Sequence, residues 1–586
     1  MGLPTSIARG MCLGICIAKG LTMPRLVALT AILLLGSGCA NETESDPVVP
    51  PSSVVDLTPE QHLVRASMAL RGTRPSLEEL DRVAESSDAL TEIVDEYLAS
   101  DAFGRTMRRL HSESLMLEPD WLYYPAGFPN VGALADYDVA TVNQSVMQAP
   151  LRLIESVVME DRAYTEIVTA DHTLADPISS VVWGLAYDPS GPEWQATRYE
   201  DGRGNAGILT DSWMYVRYQS TASNANRQRA NAISRSLLCY DFLSRDVELD
   251  TSVDVADPNA VQAAVVANSA CASCHQALDP LASFFKDMLP LFVPQDAPGY
   301  PLDPPVFIPG VFEIGLGVEM RQSSYFGLAG ESLEDLGQLI ADDPRFSLCA
   351  AQRFYSYFNQ VPLSEVPFEA AAALQQGFID SGFNAKALTK AVVMSHDFSA
   401  SHAETAEEAE GLNGFRRARP DEAASMIDDL TGFRWETDLG PYTEGMIGVI
   451  DLPRDSMLGY RVVGGGTDSM FVTVDTFTDN AGTSLFVRSF AEQAAGYVVD
   501  SDLSVAGDAR KLLGRVDAQT SDEATLRSQI ADLHARVFGT VVSVDSPEVD
   551  ATFDLYQAAR VQSGDAARAW KTVLTALFSD FRAGNY

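Results

Sequence analysis

Basic residues are scarce in this chain. Lys and Arg together number 41 against 81 Asp and Glu, so the formal net charge is −40. Binding to a phosphate backbone needs a basic face, so this balance argues against a nucleic-acid partner. The acidic residues are spread along the whole chain, which favours solubility of an exported protein in a salty habitat; steering toward a basic partner is the alternative explanation.

Catalytic signatures are also missing. The chain has seven histidines, and His62, His111 and His172 are isolated from other metal-binding or nucleophilic residues. No His-Glu-x-x-His or nucleophile-elbow pattern occurs. The triplet at 464–466 (GGG) lacks the Lys-Ser/Thr pair of a phosphate-binding loop. The sequence therefore assigns no catalytic residue and leaves open whether the protein is an enzyme.

The apolar run near the N-terminus is too short to cross a bilayer. Residues 26–35 (LVALTAILLL) have the length of the hydrophobic region of a secretory signal, and Arg25 precedes them. Met23 is the expected true start, because the preceding residues have none of the features of a signal peptide. We expect residues 1–38 to form the signal peptide and the mature protein to be exported to the periplasm or the cell surface.

A cysteine follows this run at the position where a lipid is attached in lipoproteins. Residues 36–38 (GSG) lead into Cys39, which is close to a lipobox, although Gly36 stands where Leu is usual. We expect cleavage before Cys39, a lipid on its thiol and therefore membrane anchoring. An ordinary secretory signal cut near the same place is the alternative. Residues 39–57, rich in Pro, Ser and acids, would then form a tether.

Residues 271–275 have the sequence Cys-Ala-Ser-Cys-His, which matches the Cys-x-x-Cys-His signature of covalently attached c-type haem. In such a site each thiol adds across a haem vinyl group and the imidazole coordinates the iron. Cys271 and Cys274 are therefore the predicted attachment residues, His275 is the predicted axial ligand, and one haem c is the predicted cofactor. Haem c is attached outside the cytoplasm, so this prediction requires the export inferred above.

Two other sites could use the same residues. A thioredoxin-like redox pair would follow a strand, whereas residues 261–270 (VQAAVVANSA) are alanine-rich and predict a helix. A tetrahedral zinc site would need a fourth ligand, usually from a second Cys or His pair, and no second pair is present in the sequence.

The remaining cysteines suggest a disulfide. The chain has seven; the expected processing removes Cys12 and Cys16, Cys39 carries the lipid, and two hold haem. Cys239 and Cys349 are left in a compartment where thiols tend to oxidise, so we expect them to pair. Two buried free thiols are the alternative.

Most of the mature chain predicts helix. Thr58-Pro59-Glu60-Gln61 and Ser76-Leu77-Glu78-Glu79 are capping boxes that open helices, and a third helix is expected from Ser332. The predicted fold class is mainly α: a multi-helical body containing a cytochrome-c-like haem segment, with a small β-hairpin near 460–474. The expected divisions are an N-terminal helical domain (58–230), the haem segment with a following helical domain (231–402), an acidic linker (403–412) and a C-terminal domain (413–586).

The C-terminal domain echoes the first part of the chain. Arg419-Pro420 opens a predicted helix that ends before Gly432, as Thr58-Pro59 opens one that ends before Gly72. Residues 392–398 (VVMSHDF) resemble the stretch that ends in Ser579-Asp580-Phe581. An internal duplication, in which only the first copy carries the haem motif, is the hypothesis, and chance similarity is the alternative.

At this point the chain resembles a known class of proteins. Residues 268–280 (NSACASCHQALDP) are similar to the haem segment of large exported proteins from planctomycetes and myxobacteria, in which helical domains of unknown function surround one cytochrome c motif. The Asp-Pro pair at 279–280, Asn226-Arg227 upstream and Pro344-Arg345-Phe346 downstream carry the resemblance. The chain departs from the pattern at Leu281-Ala282. The resemblance implies a haem carrier but names no substrate.

The sequence does not decide which residue is the sixth ligand to the iron. Met288, Met320, Met394 and His396 are candidates, and Met320 is favoured because it follows the axial histidine in the order that mono-haem cytochromes use.

Three functions remain. The first is a lipid-anchored mono-haem electron carrier that serves a periplasmic or surface redox partner. The second is a haem-dependent oxidase or peroxidase, which needs an open iron position. The third is a non-redox scaffold or surface binding lipoprotein.

Overall fold

The computed structural model describes residues 53–119, 130–244, 253–254, 257–290, 299–303, 305–409, 412–445 and 447–586. Residues 53–586 belong to one compact unit. The predicted signal peptide, the start at Met23, the lipidation site Cys39 and nearly all of the predicted tether lie outside the described residues.

The predicted mainly α fold is confirmed. In the first part of the described chain the helices are α1 (Pro59–Arg71), α2 (Leu77–Glu85), α3 (Ala89–Leu98), α4 (Asp101–Leu115), α5 (Val139–Met159), α6 (Glu166–Thr169), α7 (Pro177–Trp183), α8 (Ser212–Arg217), α9 (Arg227–Leu238), α10 (Pro258–Ala267), α11 (Ser269–Ala282) and α12 (Leu333–Ala341). They are followed by α13 (Pro344–Asn359), α14 (Phe368–Asp380), α15 (Ala385–Val393), α16 (His396–Ser399), α17 (Ala406–Ala409), α18 (Pro420–Thr431), α19 (Ala481–Asp502), α20 (Glu523–Phe538), α21 (Pro547–Ser563), α22 (Ala566–Ser579) and α23 (Phe581–Gly584). Among the helices in these ranges, none is both long enough and apolar enough to cross a bilayer.

Short strands form four antiparallel pairs within the described residues. The strands are β1 (Val54–Asp56), β2 (Thr173–Ala175), β3 (Gln195–Thr197), β4 (Ser324–Tyr325), β5 (Leu328–Ala329), β6 (Ala400–Ala403), β7 (Glu436–Asp438) and β8 (Val449–Asp451). They pair as β1 with β6, β2 with β3, β4 with β5 and β7 with β8.

Local capping explains where several helices begin. The Thr58 hydroxyl accepts from the backbone N–H of Gln61 at 3.3 Å, and the Gln61 side chain accepts in return from Thr58 N–H at 3.0 Å. Ser76 and Glu79 form the same reciprocal pair at the start of α2. Both predicted capping boxes are therefore confirmed. Each stabilises the start of its helix, because it satisfies amide groups that have no partner inside the helix.

The hairpin predicted near 460–474 is wrong in position. Residues 460–474 form turns, and the strand pair of this region is β7 with β8. The Asp468 carboxylate accepts from the backbone N–H groups of Met470, Phe471 and Val472 at 2.7–2.8 Å. Amides held by this side chain are not free to pair with another strand.

The predicted linker at 403–412 contacts the start of the described chain. β6 pairs with β1, and Ser53 N–H donates to the Glu408 carboxylate at 2.8 Å. The C-terminal part also packs on the N-terminal helices: Arg109 on α4 donates to Asp421 on α18 at 2.5 Å. These contacts join distant parts of the chain within the unit formed by residues 53–586.

The two halves can be compared by element order, and the predicted duplication stays a hypothesis. In the first half, β1 and α1 come first and the series α13, α14, α15, α16 ends at β6, which pairs back to β1. In the second half, α18 comes first and the series α20, α21, α22, α23 ends at Asn585, which pairs with Arg417 just before α18. The haem motif belongs to the first half.

Candidate functional site

The Cys-x-x-Cys-His motif lies in the first two turns of α11. Asn268 begins this helix: its side-chain oxygen accepts from the N–H groups of Ala270 and Cys271 at 3.0 and 3.4 Å. The preceding element is helix α10, which packs on α11. A helix in this position agrees with the sequence prediction. A thioredoxin-like pair would instead follow a strand.

Helical spacing brings the three motif residues to one side of α11. Cys271 and Cys274 are three residues apart and Cys271 and His275 four, so they are neighbours on the helix surface. All three side chains are half-buried, and both thiols are free. The arrangement leaves both sulfur atoms available for covalent attachment.

A carboxylate orients the imidazole of His275. Nδ1 of His275 lies 2.8 Å from Oδ1 of Asp279, one helical turn further along α11. With Nδ1 donating to this oxygen, Nε2 is the ring nitrogen left for an iron. The i to i+4 spacing of His275 and Asp279 is visible in the sequence and could have identified this contact.

Two arginines share the Asp279 carboxylate. Arg227, the first residue of α9, donates from Nε to Oδ1 at 2.6 Å and from Nη2 to Oδ2 at 3.2 Å. Nη2 of Arg321 lies 3.5 Å from Oδ2. Burial raises the pKa of Asp279, but hydrogen bonds from His275 and Arg227 outweigh it and lower the pKa to about 2. The side chain is 8% exposed and holds its negative charge beside the predicted axial ligand.

The start of α9 also anchors the chain that follows α11. Asn226 is fully buried and its side-chain amide donates to the Phe285 carbonyl at 2.9 Å. Arg229 donates to the carbonyls of Met288 and Leu289 at 3.2 and 2.6 Å. The block at 226–229 therefore holds both the carboxylate of α11 and the segment beyond it.

The four candidates for the sixth ligand lie in different surroundings. Met320 is half-buried and directly precedes Arg321, which contacts Asp279 and lies 3.4 Å from the His275 carbonyl. Met288 is 1% exposed in the core. Met394 and His396 lie at the end of α15 and the start of α16, which pack on α13. Among the candidates, Met320 is the one whose chain neighbour touches the motif helix.

Cys239 and Cys349 are joined in the structure by a disulfide, with an S–S distance of 2.07 Å. Cys239 follows the last residue of α9, and Cys349 is buried in α13. Because Arg227 lies at the other end of α9, this bond ties the helix that contacts Asp279 to the body of the protein.

The site's residues fit a c-type haem better than a zinc ion. Two thiols and an imidazole are the donor set that thioether attachment and iron ligation use. Among the described residues, no group of three or more His, Cys, Asp or Glu is arranged to hold a metal ion directly, so the fourth zinc ligand is missing there.

Exposed apolar side chains lie on the segments that flank α11. Val266 on α10 is 69% exposed, and Ile314, in the chain after α11, is 88% exposed. This later chain meets the end of the haem segment, because Phe312 N–H donates to the Lys286 carbonyl at 3.4 Å. Single exposed apolar side chains are common on protein surfaces and do not by themselves mark a binding site.

A polar cavity of about 540 Å³ lies between α4, α5 and α18. Arginines and carboxylates line it in nearly equal numbers, and several of them pair with each other, as Arg109 does with Asp421 and Glu118. Arg419 pairs with Asp475 at 3.0 Å and Glu422 at 3.1 Å. These groups balance each other's charges and join the two halves of the chain.

Comparison of the chain with family models, with curated proteins and with solved structures finds no match. The function is therefore inferred from the residues of the site.

Proposed function

We propose that this chain is an exported, lipid-anchored protein that carries one covalent haem c and transfers electrons to or from a redox partner. Cys271 and Cys274 hold the haem through thioether bonds, and His275 is its axial ligand through Nε2. The observation that carries the proposal is the helix α11, which presents the three residues within one turn while Asp279 occupies Nδ1 of the imidazole.

The haem supplies a one-electron couple when bound. The protein's own residues position it: the two sulfur atoms fix its edge to α11, and Asp279 selects the tautomer of His275. Because the three motif side chains are half-buried, an attached haem would lie near the surface. A surface position favours electron exchange with another protein over chemistry in an enclosed substrate pocket.

The partner and the location are proposed on the sequence. The signal at 1–38 and Cys39 place the mature protein in the periplasm or on the cell surface, with the lipid as its membrane anchor. A redox partner with a basic docking face would complement the net charge of −40. The resemblance to exported planctomycete and myxobacterial proteins with one cytochrome c motif implies the same cofactor.

The test is expression of the full chain in a host that has haem c maturation machinery. We expect a band that stains for haem after denaturing electrophoresis, and an intact mass that includes one porphyrin iron and a lipid on Cys39. Replacement of both motif cysteines, C271A/C274A, should abolish the stain because no thioether can form.

The matched control removes two cysteines elsewhere. C239A/C349A keeps the motif and should retain the haem stain. A colourless wild-type protein without the added porphyrin mass would overturn the proposal and leave an acidic lipoprotein in its place.

A further inference from the structure

We propose that Asp279 is a positioning residue that sets the reduction potential of the haem by accepting a hydrogen bond from the axial His275, and that Arg227 and Arg321 counterbalance its charge. The inference deepens the proposed function and rests on it. It concerns residues that the haem motif itself does not include.

The geometry places one carboxylate between the axial ligand and two cations. Oδ1 of Asp279 lies 2.8 Å from Nδ1 of His275 and 2.6 Å from Nε of Arg227. Oδ2 lies 3.2 Å from Nη2 of Arg227 and 3.5 Å from Nη2 of Arg321. Each oxygen thus faces a guanidinium, and Oδ1 is shared between the imidazole and an arginine.

Burial makes these charges effective. The Asp279 side chain is 8% exposed and that of His275 is 23% exposed. Charges screened less by water act more strongly on a neighbouring group. The carboxylate therefore acts directly on the ring beside it.

The Asp279 carboxylate, as an anionic hydrogen-bond acceptor, changes the electron donation of the His275 imidazole to an iron. A carboxylate that pulls on the Nδ1 proton raises the electron density of the imidazole and its donation through Nε2. Stronger donation stabilises the oxidised iron, so the carboxylate lowers the reduction potential. The two arginines withdraw electron density from the same carboxylate, so each acts in the opposite direction.

A purely structural role for the same contacts makes a different prediction. The bidentate Arg227–Asp279 pair also joins α9 to α11, and breaking it would weaken the fold whichever partner is removed. If the role were purely structural, substitution of either Asp279 or Arg227 would lower the stability. The two substitutions would not shift the reduction potential in opposite directions.

The experiment measures the midpoint potential of the haem-loaded full chain by optical titration. We expect D279N to raise the potential, with the ratio of reduced to oxidised protein at a fixed applied potential rising about tenfold, which is about 59 mV for a one-electron couple. R227Q should lower the potential, and R321Q should lower it less because its contact is longer. R227K, which keeps the charge, should stay closer to the wild type than R227Q.

The control is E313Q, which removes an exposed carboxylate from the flanking segment and should leave the potential unchanged. If D279N fails to fold, the sign of the R227Q shift still tests the inference. Equal potentials in wild type, D279N and R227Q, with the haem stain retained, would overturn this inference alone. A wild type without haem would overturn the proposed function instead.

Discussion

Opening the Cys239–Cys349 disulfide should destabilise the whole unit, because the bond closes a long loop around the haem segment. The two cysteines are 110 residues apart in sequence, and the loop between them contains the motif helix and Arg321. In the double variant C239A/C349A the unfolded chain regains the freedom that the bond removes.

The size of the effect follows from the loop length. For a separation of 110 residues the chain-entropy relation gives about 16 cal/mol/K, or about 5 kcal/mol at 25 °C. Native disulfides usually contribute about 2–5 kcal/mol. A unit of about 530 residues has an unfolding entropy of about 1.1 kcal/mol/K if it unfolds as one, so the melting temperature should fall by about 2–5 °C.

The assay is thermal unfolding followed by circular dichroism, with and without a disulfide reductant. The variant given the same treatment is the control, since a reductant also changes the oxidation state of the iron. We expect the reductant to lower the melting temperature of the wild type and to leave that of the variant unchanged. If the wild type melts within about 1 °C in both conditions, or if its denatured mature form titrates two free thiols without reductant, the reasoning is refuted.

Two further predictions concern single residues. M320A should remove the near-infrared band that marks Met ligation in the ferric haem, whereas M394A should keep it; a band that survives in M320A would exclude Met320 as sixth ligand. Burial is the largest influence on His111 and lowers its pKa to about 4 from 6.5. Between pH 6.5 and 4 the unfolded chain therefore binds a proton at His111 that the folded chain does not bind. The contribution of neutral His111 to the free energy of unfolding is complete above pH 6.5 and is lost as the pH falls toward 4. Urea titrations at pH 7 and 4.5 should show a loss about 2–3 kcal/mol larger in wild type than in H111Q, and equal losses would contradict this.

Prediction from sequence worked where the interaction is local. The capping boxes at Thr58 and Ser76 depend on groups a few residues apart, and the structure confirms them. The predicted helix at 261–270 is helical up to Ala267, and Asn268 then breaks it and begins α11. The hairpin prediction failed although the glycine and β-branched residues near 460–474 have the pattern of turn and strand signals. The side chain of Asp468 holds the backbone amides there, a local interaction that periodicity does not reveal.

The division into domains was predicted from composition and stays a prediction. The acid-rich stretch at 403–412 suggested a solvated linker, yet β6 pairs with β1 across almost the whole first half of the chain. Likewise Arg419 pairs with Asp475 at 3.0 Å and lies 3.8 Å from Glu113 on α4. Long-range ion pairs of this kind leave no pattern in a single sequence.

The chemistry available at the site can be read from the amino-acid sequence alone, because two thiols and an imidazole at fixed helical spacing require no distant partner to define them. It also carried the His275–Asp279 contact, since both lie on one helix. The contacts of Arg227 and Arg321 with the Asp279 carboxylate could be seen only in the folded chain, because these residues lie 52 residues upstream and 42 residues downstream of it. Packing of α9 on α11 brings Arg227 to the carboxylate, and the irregular chain before β4 brings Arg321 there.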